Sequence, residues 1–292
     1  MKDKIVTRII QIAGFSCIII VVMIFFFLLQ EGIPALSEVA LSDLFTTRWY
    51  PIEDHFGILP LFSGSLLVTL VSIAIALPFG IGTAVYIAEI APRRVKEVLK
   101  PMIEVLAGIP SVVLGFIGII FLSPMLRETF NLATGLTAFT GAVLLALISI
   151  PTIVSVAEDA LNAVPQSYRE ASYALGITRW QTIWRVTLPA ARSGVITAVM
   201  LGISRTMGET MAVMMVTGNA PTLFKGLQSI FKPTRTMTAT IASEMGEVAS
   251  GSTHYHVLFL IGIVLFIFSL IINIISNHFS EKNRKEKEQV VS

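Results

Sequence analysis

The sequence predicts an all-α membrane protein with six transmembrane helices, and three observations lead to this fold class. Hydrophobic residues make up 54% of the 292 positions and charged residues only 14%, with a mean hydropathy of +0.79. A soluble domain of this length does not need so much apolar surface, whereas several membrane spans do. The apolar residues are gathered into six long runs, and most of the basic residues lie between alternate runs.

Each apolar run is long enough to cross a hydrocarbon core of roughly 30 Å at about 1.5 Å per helical residue. The runs cover residues 9–29, 61–88, 103–122, 136–157, 195–216 and 257–275. The first run exceeds the apolar region of a signal peptide, and no small-x-small cleavage site follows it, so we expect a permanent anchor. It contains the single cysteine, Cys17. One cysteine excludes a disulfide within the chain.

The distribution of Lys and Arg predicts the orientation in the membrane. Fifteen of the 21 basic residues lie in segments 1–8, 91–102, 158–193 and 278–292, five lie in the alternate segments, and Arg205 lies within a run. Lys and Arg concentrate in cytoplasmic loops, so both termini and the 158–193 loop are predicted to be cytoplasmic. The charged tail is interpreted as a solvated stop after the last span.

We expect one membrane domain in three parts. Residues 1–60 form an anchor and outer loop, residues 61–277 a core of five spans with the 158–193 loop, and residues 278–292 a tail. Small residues in the fifth run and immediately before it predict close helix packing, namely Gly194, Ala198, Gly202 and Gly208. The outer stretch 236–249 has helical character, and its sequence leaves open whether it is re-entrant or interfacial.

The cytoplasmic loop predicts two short helices joined at a glycine. Residues 166–175 are good helix formers, and Gly176 supplies the left-handed residue that commonly ends a helix. Thr178 and Gln181 have the spacing of a capping box at the start of a second helix. That helix is expected to end before Pro189, which cannot continue it.

The same loop is rich in large apolar side chains. They are Tyr168, Tyr173, Leu175, Trp180 and Trp184. They are too many for a free loop and would fill a groove on a partner protein, as amphipathic helices do. The alternative interpretation places them in the lipid interface, where aromatic residues are also enriched, or against the chain itself.

A motif in this loop resembles the ATPase-docking loop of ABC importer permeases, which has the pattern E-A-A-x3-G-x9-I-x-L-P. Here Ser172 stands at the third motif position and Val186 at that of the isoleucine. The resemblance implies the fold of a type I ABC importer permease. It also implies that the loop couples the chain to an ATPase through Glu170, Ala171, Gly176, Leu188 and Pro189.

Sequence motifs of a catalytic or metal centre are missing. The sequence has no G-x-x-x-x-G-K-[ST] to cradle ATP and no H-E-x-x-H or His/Cys cluster. We therefore expect neither an enzyme nor a bound cofactor, and interpret His254 and His256 as an interfacial pair. Energy has to come from another chain or from an ion gradient.

Charged residues within or beside the spans are the candidate binding residues. Arg205 and Glu209 are four apart in the fifth run, which predicts one helical face, with Thr206 and Thr210 beside them. One interpretation is a salt bridge that only neutralises the pair. In the other, the Arg205 guanidinium binds an oxyanion through two parallel N–H donors. Glu209 would then accept the proton that hydrogen phosphate carries and sulfate lacks at pH 7.

Two further carboxylates are expected to form interfacial ion pairs at the ends of spans. Glu89 and Glu104 lie near Arg93, Arg94 and Lys100 in the sequence.

Four segments resemble the PstC family of phosphate-specific ABC permeases: 106–113, 190–194, 205–213 and 234–237. The resemblance extends from about residue 61 to 275. It implies an importer of inorganic phosphate with a PstA-like second permease, a PstB-like ATPase dimer that uses ATP and Mg, and a PstS-like extracytoplasmic binding protein. The residues leave alternatives open, namely a permease for sulfate, molybdate or phosphonate, and a secondary transporter with Glu209 as proton relay. A membrane-embedded enzyme is disfavoured because no nucleophile–base cluster is present.

Overall fold

The computed structural model describes the backbone of residues 2–291 and the side chains of residues 6–275. This part of the chain is mostly helical, with loops between the helices and one short antiparallel hairpin, β1 (Trp49–Tyr50) with β2 (His55–Phe56), in which Trp49 pairs with Phe56. The helices are α1 (Lys2–Gly32), α2 (Ala35–Glu38), α3 (Leu41–Leu44), α4 (Leu59–Val85), α5 (Arg93–Gly108), α6 (Ser111–Ile117), α7 (Ser123–Thr129), α8 (Ala138–Asn162), α9 (Gln166–Ala174), α10 (Arg179–Thr182), α11 (Leu188–Ala190), α12 (Arg192–Gly208), α13 (Met211–Val216), α14 (Met237–Glu244) and α15 (Thr253–Val291). The predicted helical fold class is confirmed.

Five helices in the described part of the chain are long and apolar enough to cross a membrane. They are Val6–Glu38, Leu59–Ile90, Ser111–Thr129, Ala138–Asn162 and Thr253–Ile275. A sixth candidate is a pair of helices, Arg179–Ala190 and Arg192–Gly208, bent by 74° at their junction. The runs predicted at 9–29, 61–88 and 257–275 each lie within one of these helices, and the run 136–157 lies within Ala138–Asn162 except for its first two residues. The side chains of the 278–292 tail lie outside the described residues.

The boundaries predicted for the third span are wrong. α5 ends at Gly108, and Ile109 and Pro110 are extended, with ψ angles of 128° and 133°. The ring of Pro110 disfavours a helical conformation of the residue before it, so the helix stops there. A new helix then runs through α6, a π-turn and α7. The span is therefore residues 111–129, and α5 is a separate amphipathic helix.

Charged contacts hold α5 against the end of α8. Lys100 Nζ lies 3.0 Å from Glu158 Oε2 and 3.6 Å from Asp159 Oδ1. The hydrogen bond with Glu158 raises the pKa of Lys100 above its ordinary value, against the opposing effect of burial. Glu104, predicted to pair with a neighbouring basic residue, forms no salt bridge among the described side chains.

The predicted fifth span is also interrupted. α12 ends at Gly208, Glu209 has an extended backbone with φ −73° and ψ 125°, and α13 begins at Met211. α12 alone, with 17 residues, is about 26 Å long at 1.5 Å per residue. The run 195–216 is therefore two helices that meet at a break.

Close glycine contacts bring α4 and α12 onto α8. A Cβ added at Gly80 would lie 2.8 Å from Ile153 Cγ2, and one at Gly202 would lie 2.6 Å from Ile153 Cγ1. Ile153 is fully buried. Small residues allow such close approach of helix backbones in membranes. The predicted tight packing is confirmed at Gly202 and also at Gly194, where an added Cβ would lie 2.3 Å from the Cβ of Ala160.

The prediction fails at Gly208, where an added Cβ would meet no atom within 4 Å. Gly208 instead ends α12.

A carboxylate on the side that is predicted to face outward joins the hairpin, α14 and α15. Glu244 Oε1 accepts hydrogen bonds from Arg235 Nη1 at 2.5 Å and from Trp49 Nε1 at 3.2 Å. Its Oε2 lies 2.9 Å from His254 Nε2. The helical character predicted within 236–249 is confirmed for α14, whose eight residues are too few to span the membrane.

The packing of Gly80 against Ile153 can be tested, and Gly82 in the same helix as Gly80, α4, supplies a matched control. Gly80→Ala should destabilise the solubilised chain by about 1–3 kcal/mol, because its methyl group would overlap a stiff, buried, β-branched side chain. Gly82 has no atom within 4 Å of an added Cβ. Gly82→Ala should therefore leave stability unchanged or raise it by up to about 1 kcal/mol through helix propensity. Thermal unfolding in detergent compares the two, and equal effects would contradict the packing assigned to Gly80.

Candidate functional site

The 158–193 loop forms the predicted helix–turn–helix. α9 is followed by Gly176, whose φ angle of +75° is the left-handed conformation that a glycine adopts without strain. The capping box is present at the start of α10. Thr178 Oγ1 accepts the N–H of Gln181 at 3.4 Å, and Gln181 Oε1 accepts the N–H of Thr178 at 3.1 Å. The local sequence signals therefore place both helices correctly.

The second helix passes through Pro189, contrary to expectation. A π-turn at Ile183–Thr187, in which the N–H of Leu188 donates to the carbonyl of Ile183, precedes α11. Pro189 thereby falls in the first turn of α11, where a missing N–H costs nothing. The helix ends at Ala190, and the chain bends by 74° into α12.

Ser172, one of the two residues that depart from the docking pattern, joins α9 to α10. Its Oγ lies 2.7 Å from Thr182 Oγ1, and both residues are buried. An alanine at this position could not make that bond. The serine that departs from the motif therefore has a hydrogen-bond partner ten residues further along the chain.

The outward surface of the loop is open and apolar. The large side chains on it are 43–79% exposed: Tyr168, Tyr173, Leu175, Trp180 and Trp184. The coupling positions Glu170, Ala171, Gly176 and Pro189 are exposed and Leu188 is half-buried. Glu170 forms no salt bridge with any described side chain.

Glu89 pairs with Arg169 rather than with Arg93 or Arg94, so the predicted interfacial pair is wrong. Arg169 Nη2 lies 2.5 Å from Glu89 Oε1, and the two side chains are only 12% and 5% exposed. Arg93 instead pairs with Glu97 at the surface. Sequence reasoning missed the pair because 80 residues separate the partners. The only available signal was that both residues lie at the side predicted to be cytoplasmic.

Arg205 and Glu209 do not share a helical face, because α12 ends at Gly208 between them. Arg205 is exposed in the last turn of α12 and forms no salt bridge with any described side chain. Glu209 Oε1 accepts the N–H of Ala212 at 3.3 Å in the first turn of α13. The carboxylate therefore holds the start of α13, where the partial positive charge of a helix N-terminus favours it.

The two threonines have different surroundings. Thr206 is buried, its Oγ1 lies 2.8 Å from Ser149 Oγ of α8, and the same hydroxyl donates to the carbonyl of Gly202 at 2.8 Å. Thr210 is half-buried at the break and donates to the carbonyl of Gly208 at 3.3 Å. The structure therefore places Thr206 in a contact between helices and Thr210 beside the break.

The bent coupling loop, the interrupted fifth span and the bundle around α8 all lie within one family match. The family of binding-protein-dependent transport system inner membrane components matches residues 76–285. The chain belongs to this family. It is therefore a multi-pass inner-membrane permease, and in such systems ATP is hydrolysed by a separate subunit.

Curated relatives agree with this assignment. The chain is 41% identical to the probable ABC transporter permease protein YqgH of Bacillus subtilis over 243 residues, 82% of this chain and 78% of YqgH. It is 34% identical to the phosphate transport system permease protein PstC of Mesorhizobium japonicum over 263 residues, 84% of this chain and 79% of that protein.

Two solved structures share the fold of the permease. The MetNI methionine ABC transporter in inward-facing conformations matches with a TM-score of 0.60 and 21% identity, over 75% of this chain and 93% of the other. A bacterial ABC transporter involved in alginate import matches with a TM-score of 0.58 and 16% identity, over 94% and 98%. At these identities the likeness concerns the fold alone.

The conformation of Gly176 gives a test of the loop. Gly176→Val should strain the left-handed position by about 1–3 kcal/mol and displace α9 relative to α10, so that ATPase copurification falls while membrane insertion persists. Gly176→Asn is the matched control, since asparagine tolerates positive φ and an added Cβ meets no atom within 4 Å. Pull-down of the ATPase compares the variants, and normal recovery with the valine variant would contradict the docking role.

Proposed function

We propose that this chain is the transmembrane permease of an ATP-driven importer of inorganic phosphate, with Arg205 in the substrate path. The observation that carries the proposal is an exposed guanidinium beside an interrupted span, with no salt bridge among the described side chains. The name of the PstC relative from Mesorhizobium japonicum supports phosphate as the substrate.

The chemistry of Arg205 favours an oxyanion. A charged side chain within a span is costly and usually faces a water-filled cavity or a partner. The planar guanidinium offers two parallel N–H donors that match two oxygens of one tetrahedral anion. The break after Gly208 fits the same picture, because non-helical backbone at membrane depth is tolerated where it is buried in protein or lines a cavity.

Glu209 supplies the discrimination between oxyanions in this proposal. One carboxylate oxygen is engaged by the N–H of Ala212, which leaves the other to accept a hydrogen bond. Hydrogen phosphate carries a proton at pH 7 and can donate it, whereas sulfate cannot. Thr210 adds a hydroxyl at the same break.

Energy enters through the cytoplasmic loop. The exposed apolar surface of α9 and α10 fills a groove on a PstB-like ATPase dimer, which binds ATP and Mg, while this chain binds no cofactor. A PstA-like permease forms the other half of the path, and a PstS-like extracytoplasmic protein delivers phosphate. Closure of the ATPase dimer moves residues 165–190 and changes the side to which the path opens.

The predicted orientation, with both termini in the cytoplasm, can be tested by labelling. With Cys17 replaced by serine, cysteines at the exposed positions Asp43 and Gln228 should react with an impermeant reagent added outside intact cells. Cysteines at Arg94 and Gln181 should react only after the membrane is opened. Labelling of Gln181→Cys from outside would place the coupling loop where no cytoplasmic ATPase can reach it.

Replacement of Arg205 tests whether this residue lies in the substrate path. Arg205→Gln should lower phosphate uptake at least about tenfold, since each charge-assisted hydrogen bond contributes roughly 1.5–3 kcal/mol. Arg192→Gln is the control, because Arg192 is also exposed and begins the same helix. Phosphate uptake at matched amounts of assembled complex is the measurement.

The double variant of Arg205→Gln and Glu209→Gln should remain inactive, since the two residues form no ion pair that a second change could balance. Recovery of uptake in the double variant would instead show that the two charges only neutralise each other. Glu209→Gln alone should let sulfate compete more strongly with phosphate. Wild-type uptake of sulfate or molybdate in place of phosphate would favour the other-oxyanion alternative, and uptake insensitive to vanadate would favour a secondary transporter.

A further inference from the structure

We infer that Glu89 and Arg169 form a joint through which movement of the coupling helices reaches the second span, α4. The inference rests on the proposed docking role of the loop and assigns both side chains as positioning residues. Neither belongs to the apolar surface offered to the ATPase, and neither lies at the break that contains Glu209.

Arg169 connects three elements of the fold. Its Nη2 and Nε donate to the carboxylate of Glu89, which lies in the π-turn Tyr86–Ile90 that continues α4. Its Nη1 donates to the carbonyl of Val164 at 2.7 Å, and its Nη2 also donates to the carbonyl of Leu161 at 2.9 Å near the end of α8. One buried side chain of α9 therefore binds the cytoplasmic ends of two spans.

The second helix of the loop, α10, is also attached to Glu89. Arg179, the first residue of α10, donates through Nη2 to the backbone carbonyl of Glu89. The hydroxyl bond between Ser172 and Thr182 fixes α9 to α10. Both helices of the loop therefore converge on Glu89 as one unit.

Burial makes this attachment stiff. Separating a buried ion pair leaves an uncompensated charge in a poor solvent, so the partners move together rather than apart. The bidentate geometry also fixes the angle between the guanidinium and the carboxylate. By contrast, Arg93 and Glu97 form a pair of the same charges that is 92% and 62% exposed, and water replaces such a contact at little cost.

The loop has two covalent connections into the membrane. α8 leads into α9 through residues 163–165, and α11 continues into α12 through the 74° bend, whereas the chain connects the loop to α4 only by way of α5–α8. Movement of the loop therefore reaches α8 and α12 through the backbone, and the polar contacts that carry it to the end of α4 converge on Glu89. Loss of the ion pair should disconnect α4 and leave α12 responsive.

The test uses the complete transporter complex in a Cys17→Ser background, with one reporter cysteine at a time. Leu70→Cys reports on α4 and Leu201→Cys on α12, both at exposed positions. The rate of reaction with a maleimide is measured before and after ATP and vanadate trap the ATPase. We expect the wild-type rate to change at both positions. In Glu89→Gln and Arg169→Gln, the change at Leu70→Cys should fall at least fivefold, while that at Leu201→Cys persists.

Controls separate this role from a merely structural one. Glu97→Gln should behave as wild type, and Arg169→Lys, which keeps the charge but loses the fork, should give an intermediate response at Leu70→Cys. A pair that only stabilises the fold would lower the yield of complex and leave both responses intact in what assembles. If the rate change at Leu70→Cys persists in Glu89→Gln and Arg169→Gln, or if it is lost at both reporter positions, the proposed role of the ion pair is wrong. A wild-type complex that shows no response at either position overturns the proposed function and this inference with it.

Discussion

A chain in a bilayer must satisfy its own backbone hydrogen bonds, and this constraint decides where the protein departs from a regular helix. Each departure has its own internal solution. The π-turns at Tyr86–Ile90, Gly118–Leu122 and Ile183–Thr187 shift the hydrogen-bond register without opening the helix. At the break in the fifth span, the Glu209 carboxylate takes an N–H that the start of α13 leaves free. At each of these four places the irregular backbone keeps a hydrogen bond within the chain.

Several charged residues at the ends of spans follow a similar rule. Glu89 is neutralised by Arg169, and Glu158 by Lys100, each at the end of a span that is predicted to face the cytoplasm. Removing one partner of a buried pair such as Glu89 and Arg169 costs about 3–5 kcal/mol, so this contact fixes the loop to the bundle. The Lys100 side chain is 45% exposed, so its pair with Glu158 holds α5 less strongly. Arg205 has no such partner among the described side chains, and this is why we propose it, rather than Glu89 or Glu158, for contact with a substrate.

The helix–turn–helix could be predicted because its signals are local. A left-handed glycine and a capping box act within a few residues, and both lie where the sequence indicated. The outcome at Pro189 could not be predicted, because the preceding π-turn changes the position that the proline occupies in the helix. The interruptions at Pro110 and Glu209 were hidden by hydropathy, which averages over both sides of a break.

The sequence by itself determined the membrane class, the number of apolar runs, the identity of the docking motif and the two short helices that carry it. These depend on composition and on spacings within one or two helical turns. The tertiary structure alone decided that Glu89 pairs with Arg169 and that Ser172 bonds to Thr182. It also decided that a helix ends between Arg205 and Glu209. Contacts between residues far apart in the chain, and the end of a helix inside an apolar run, depend on what packs against each position, and no local pattern contains that information.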